Sequence, residues 1–152
     1  MIVADIGGSE KRFDALMTLL FSNEEIVSAR AAWAVSHVAE ARPKLAQPYL
    51  TRLLENLRRP VHDAVKRNTL RLVQAADLTE DQMGLAADLC FAIVPDPNEP
   101  AAVRANALTI CYHICQAEAA LGDELKLIIE NCYASSPAAV RSRANKILKA
   151  LG

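Results

Sequence analysis

Val103-Arg104-Ala105-Asn106-Ala107-Leu108 is the stretch that decides the fold, because a related stretch occurs in each of the other quarters of the chain. The counterparts begin at Val27, Val65 and Val140, so the four valines lie 38, 38 and 37 residues apart. A regular period of this length is typical of proteins built from repeated supersecondary units. The sequence therefore predicts four copies of one unit.

The composition of the 152 residues favours close-packed helices. Hydrophobic residues make up 52% of the chain and aromatic residues only 5%, whereas strands favour β-branched and aromatic side chains. The formal net charge of −1 gives no overall attraction to nucleic acid or to a membrane. No apolar run approaches the ~18 residues of a membrane helix, and the first residues are too acidic for a signal peptide. We therefore expect a cytoplasmic protein without a membrane partner.

Apolar residues recur at helical spacing in eight segments, which pair into four hairpins after a flexible tail over residues 1–8. In each hairpin the first helix, called A, carries a leucine-rich stripe. The second helix, called B, carries valine followed four residues later by a small residue, and neighbouring hairpins are expected to bury each other's apolar faces. We predict a single all-α domain over residues 9–152 with hairpins at about residues 9–40, 43–77, 79–116 and 118–151.

Turn signals mark several helix ends. Asn23 is expected to cap the first B helix, and Pro48 to lie in the first turn of its A helix or to kink it. Thr79 and Gln82 have the spacing of a capping box at the start of the third hairpin.

The stretches Pro100–Ala107 and Pro137–Ala144 resemble the second-helix signature of HEAT repeats, which is a turn residue, then Val-Arg, then alanine three residues on. The resemblance covers about residues 9–151. It implies a right-handed α-α superhelix, a solenoid whose B helices line a concave face. Proteins of this kind are mostly scaffolds and adaptors for other macromolecules.

The match to that signature weakens toward the N-terminus. The second hairpin has Lys66 in place of the arginine. The first hairpin has Ser28 at that position, as a capping repeat would. In the HEAT family the arginine commonly joins a ladder of turn contacts. The resemblance therefore implies that Arg104 and Arg141 are structural.

The positions three, six and ten residues after each valine lie on the side of the B helices away from the core stripe. None of the residues at the first two of these positions is aliphatic, and the third is histidine in two of the four copies. Basic residues also outnumber acidic ones on the B helices. We expect a polar, partly basic groove that binds a partner protein through an acidic surface or peptide. The candidate groove residues are Arg30, Trp33, His37, Asn68, Arg71, Asn106, Thr109, His113, Arg143 and Lys146.

Two alternatives to protein binding stay open at this stage. The same basic face could bind DNA, as in some HEAT-like proteins, or the chain could be a structural subunit of a homo- or hetero-oligomer. Trp33 is also ambiguous, since packing against the first helix is favoured over a role as a binding anchor, although tryptophan is a frequent anchor at interfaces.

No pattern of catalytic or metal-binding residues is found. Cys90, Cys111, Cys115 and Cys132 each fall where other repeats have apolar residues, so they are interpreted as buried, reduced thiols rather than metal ligands. The three histidines have no catalytic spacing, and no glycine-rich phosphate loop occurs. We expect no enzyme activity, no metal and no cofactor.

Overall fold

The structure is a computed structural model that describes residues 10–152. This part of the chain consists of helices joined by turns and contains no strand, as predicted. The expected tail over residues 1–8 and Ser9 lie outside the described residues. The chain divides into two compact units, Met1–Leu78 and Thr79–Gly152. The first two predicted hairpins fall in the first unit, and the last two fall in the second.

The first unit contains five α-helices among its described residues and one 3₁₀ segment at Gln47–Tyr49. The α-helices are α1 (Glu10–Leu20), α2 (Glu25–Ala41), α3 (Pro43–Ala46), α4 (Leu50–Asn56) and α5 (Asp63–Gln74). α2 packs against α1 on one side and against α5 on the other, so the B helices α2 and α5 are neighbours. Phe13, Met17 and Leu20 of α1 are buried in this core, as their spacing predicts.

Pro48 breaks the second A helix, which is one of the two outcomes that the sequence left open. It lies in the 3₁₀ segment between α3 and α4. Proline lacks the N–H that an α-helix needs and clashes with the preceding turn, so the chain tightens locally before the helix continues. Beyond the break, Leu50, Leu53 and Leu54 are fully buried, so the leucine stripe still faces inward.

The second unit repeats this arrangement with four α-helices and a 3₁₀ segment at Ala119–Leu121. The α-helices are α6 (Glu80–Ile93), α7 (Ala101–Ala117), α8 (Gly122–Cys132) and α9 (Ala138–Leu151). The B helix α7 packs against α6 and against the next B helix, α9. The predicted capping box is confirmed, because Thr79 Oγ1 accepts from the Gln82 N–H at 3.2 Å and Gln82 Oε1 accepts from the Thr79 N–H at 2.9 Å.

Arg104 ties the turns of the two hairpins of the second unit together. Its side chain is only 3% exposed. Its Nε donates to the Val94 carbonyl oxygen at 2.8 Å, and its Nη2 donates to Ser136 Oγ, also at 2.8 Å. Ser136 Oγ in turn donates to the Cys132 carbonyl oxygen at 2.6 Å. The structural role that the family resemblance implied for Arg104 is confirmed.

The first unit makes the same connection with an arginine from the opposite hairpin. Ser28 occupies the position of Arg104, and its hydroxyl donates to the Glu25 carbonyl oxygen of its own helix. Arg59, in the turn before α5, reaches back instead. Its Nη2 donates to the Phe21 carbonyl oxygen at 3.0 Å, and its Nη1 donates to Asn23 Oδ1 at 2.7 Å. We call these two arrangements the arginine clasps.

The prediction that Asn23 caps α2 is wrong. Ser22 Oγ accepts the N–H of Glu24, and the Asn23 side chain accepts from Arg59. The long-range contact with a guanidinium is a charge-assisted hydrogen bond, which is stronger than the neutral bond of a cap. The Asn23 side chain therefore binds Arg59 instead of capping α2.

Candidate functional site

Four residues of α2 form a continuous outward stripe, which we call the α2 stripe: Ile26, Arg30, Trp33 and His37. Their spacing of four, three and four residues places them on one face of the helix. Ile26 is 69% exposed and Trp33 is 54% exposed, while Arg30 is exposed and His37 is half-buried. The first three candidate groove residues thus lie together, and Ile26 extends their surface.

Trp33 has 54% of its surface exposed. Ala31 and Val35, two residues to either side of it along α2, face the core. The ring contacts His37 of the same helix, with 4.2 Å between ring centroids. The His37 imidazole N–H also donates from Nδ1 to the Trp33 carbonyl oxygen at 2.9 Å. The indole and the His37 imidazole thus lie next to each other along the same face of α2.

The candidate residues on α5 differ from each other. Arg71 is exposed and pairs with Glu40 of α2, with 3.3 Å between Nη2 and Oε2. Asn68 is only 5% exposed, and its Nδ2 donates to the Ala64 carbonyl oxygen at 2.8 Å. The expectation that Asn68 faces a groove is therefore wrong. The buried face of α5 is wider than the valine stripe and includes Asn68 and Thr69.

The candidate residues of the second unit are partly used in contacts between B helices. Arg143 of α9 donates from Nη1 to Thr109 Oγ1 and to the Ala105 carbonyl oxygen of α7, the latter at 3.4 Å. Asn106 is half-buried, and His113 and Lys146 are exposed. Arg143 and Thr109 therefore join α9 to α7. The exposed candidates in this unit are His113 and Lys146.

A cleft of about 420 Å³ lies in the first unit, between the C-terminal halves of α2 and α5 and the segment around α3. We call it the α2–α5 cleft. Its lining includes Glu40 and Arg71 at the exposed rim, and also Ser36, Ala39, Leu72 and Gln74. Sequence reasoning missed Ser36 and Gln74. The available signal was that Ser36 and Gln74 occupy the same position, nine residues after Val27 and Val65, and are both polar.

The four thiols are free and buried, which confirms their interpretation as core residues. Burial raises the pKa of Cys111 well above its ordinary value, with a further contribution from a hydrogen bond to Cys90. Burial also raises the pKa of Cys115, and the nearby negative charge of Glu124 raises it further. A raised pKa lowers the fraction of reactive thiolate at neutral pH.

Residues 10–152 contain neither a cluster of metal-binding side chains nor a helix suited to a membrane. Within that range, no group of three or more His, Cys, Asp and Glu side chains is placed to hold a metal ion. None of the helices in the described part of the chain combines the length and the apolar character that crossing a membrane requires.

Comparison with known proteins identifies the family. The model of the HEAT repeat domain matches residues 1–151, which is nearly the whole chain. Neither the comparison with curated proteins nor that with solved structures found a match. The family match agrees with the four helical hairpins, the recurring valines and the buried Arg104 described above. The chain belongs to the HEAT repeat family.

Proposed function

We propose that this HEAT-repeat protein is a non-catalytic scaffold that binds a partner polypeptide through the α2 stripe of its first unit. HEAT repeat domains generally serve as interaction scaffolds. The observation that carries the proposal is the exposed Trp33, held against His37 and followed along the same face by exposed Ile26. A rigid aromatic ring beside an aliphatic side chain is the composition of many interface hot spots.

The charge on the stripe favours a partner segment that carries an acidic residue. Arg30 lies between Ile26 and Trp33, about one turn from each, and is exposed. A carboxylate on the partner could pair with this guanidinium while apolar side chains cover the indole and the isoleucine. The partner is therefore a segment with an acidic residue flanked by apolar residues.

The contacts of the other arginines favour a polypeptide over nucleic acid. DNA binding depends on several lysines and arginines that are available to neutralise phosphates. Arg104 is buried, Arg71 is paired with Glu40, and Arg143 donates to α7. Three of the basic side chains on the B helices are thus engaged in internal contacts, which leaves fewer of them to neutralise phosphates.

Peptide selection against the full-length protein tests the proposal. Displayed peptides are selected on the wild type, and their affinities are then measured for Trp33→Ala and for Leu127→Ala. Leu127, 58% exposed on α8, is a matched exposed apolar control in the second unit. We expect Trp33→Ala to weaken binding at least about tenfold, since truncating an aromatic anchor commonly costs more than ~1.4 kcal/mol. Leu127→Ala should have no effect.

Three outcomes contradict the proposal. Selected peptides could bind Trp33→Ala as tightly as the wild type. A labelled DNA duplex could bind more tightly than any peptide, with affinity that falls steeply with salt. Light scattering could also show a stable oligomer that Trp33→Ala dissociates, which would make a second copy of this chain the occupant of the stripe.

A further inference from the structure

The α2–α5 cleft contains two buried polar atoms without partners. Ser36 is only 4% exposed, and neither its Oγ nor Gln74 Oε1 has a hydrogen-bond partner among the described residues. Both residues line the cleft. A buried polar atom without a partner destabilises the folded state, because it has lost its hydrogen bonds to water and gained none in return. A ligand that supplies hydrogen-bond donors to both atoms would remove this penalty.

The charges around the cleft favour a cation. Glu40 and Asp77 both contribute to its lining, against the single guanidinium of Arg71. Two B helices also end there, α2 at Ala41 and α5 at Gln74. Helix C-termini carry partial negative charge from their last carbonyl groups. Arg71 is held at the exposed rim by Glu40 and leaves the buried acceptors unused.

The walls of the cleft suit an aliphatic stem that ends in this cation. Ala39, Ala46 and Leu72 line it and are buried. A cleft of about 420 Å³ is within the usual size of ligand sites and leaves room for a long side chain and part of its backbone. An arginine side chain combines an apolar stem with a planar group that carries five N–H donors.

We propose that the α2–α5 cleft binds an arginine side chain of the partner polypeptide. Its guanidinium donates to Gln74 Oε1 and Ser36 Oγ and shares the Glu40 carboxylate with Arg71. The inference rests on the proposed function in taking the ligand to be a polypeptide. Glu40 follows Trp33 by seven residues, or about 10 Å along α2. An extended segment spans that distance in about three residues, so the arginine lies about three residues from the side chain that covers Trp33.

Titration of the full-length, ¹⁵N-labelled protein with N-acetyl-arginine N-methylamide tests the cleft directly by NMR. We expect a Kd on the order of 1 mM, typical of so small a ligand, with shifts confined to the cleft residues, including the Gln74 side-chain amide. The citrulline analogue keeps the shape and removes the charge, and the lysine analogue keeps the charge and removes the planar donor array. Each should bind at least several-fold more weakly.

Variants link the binding to the two unpartnered atoms. Gln74→Met and Ser36→Ala should each weaken the arginine probe by about threefold or more, without lowering the melting temperature, because each removes an unsatisfied buried group. Gln116→Met, on the exposed end of α7, is the matched control and should bind as the wild type does. Equal shifts from all three probes, or unchanged affinity in Gln74→Met, overturn the inference.

The outcomes for the cleft and for the α2 stripe are separable. Selected peptides that need Trp33 but lack arginine and bind Gln74→Met normally would overturn the cleft inference and leave the proposed function standing. A cleft that binds the arginine probe while no peptide depends on Trp33 would do the reverse. Free arginine binding more tightly than the capped probe would overturn a polypeptide as the source of the guanidinium.

Discussion

Replacing Arg104 by methionine should destabilise the second unit strongly, because it keeps an unbranched apolar stem and removes every donor. Arg104 makes two hydrogen bonds of 2.8 Å, and both of its acceptors lie in buried residues. Hydrogen bonds from a charged group contribute about 1.5–3 kcal/mol each. Part of that gain is offset, because the wild type must desolvate a guanidinium and the variant need not. We expect a net loss of about 3 kcal/mol, which is the effect of losing both bonds reduced by that desolvation.

The assay is thermal and urea unfolding followed by far-UV circular dichroism. A loss of about 3 kcal/mol corresponds to a fall in Tm of roughly 6–12 °C for a chain of this size. Arg141→Met is the matched control, because Arg141 follows Val140 as Arg104 follows Val103 but is only half-buried. We expect less than about 1 kcal/mol for the control, as is usual away from buried networks. The clasp reasoning is refuted if Arg104→Met lowers the Tm no more than Arg141→Met does.

The other predictions concern packing, the exposed ion pair and the buried thiols. Ala107→Asp should cost more than about 4 kcal/mol, because Ala107 is fully buried in α7 and a carboxylate there loses its hydration and has no space. A Tm change of a degree or so would contradict the B-helix register. Arg71→Glu should leave the circular dichroism spectrum intact and cost at most about 1 kcal/mol, the usual range for an exposed ion pair, and loss of folding would place Arg71 in the core instead. The raised pKa of Cys111 means that the folded state keeps a proton which the unfolded thiol releases above about pH 8.5. The stability that the protonated Cys111 thiol contributes is therefore fully present below about pH 8.5. It is lost as the pH rises from there toward the pKa of the folded state. Cys111→Val, which places the residue found at Val35 and Val73 in the same repeat position, should show a shallower fall in urea stability between neutral and alkaline pH, and an unchanged slope would contradict a role for this thiol.

The repeat architecture could be predicted from sequence because it depends on local periodicity. Val65, Val103 and Val140 are all buried, as their common position in the pattern requires. The first copy fits less closely, since Val27 is half-buried. Helical spacing specifies which side of a helix is apolar, and in a repeat protein each hairpin presents that side to its neighbours.

The functional features were harder to predict because they depend on contacts between residues distant in sequence. Arg59 contacts Phe21 and Asn23 across more than thirty residues, and no local pattern marks it. The sequence does show that Ser28 replaces the arginine of the signature, which implies that another residue makes the contacts of that arginine. Asn68 was assigned to the surface because it lies three residues from Val65, but helix-to-helix packing covers it. Angular position alone does not determine burial where two helices pack along a broad face.

Equivalent positions in the two units explain why the proposed partner site lies in the first. Trp33 and Thr109 occupy the same place after their valines, as do Asn68 and Arg143. In the second unit, Arg143 crosses from α9 to Thr109, so that position helps to join two B helices. In the first unit, Asn68 is too short to cross and donates to Ala64 of its own helix. The position of Trp33 is thereby released from a structural role, and an exposed tryptophan there is available to a partner.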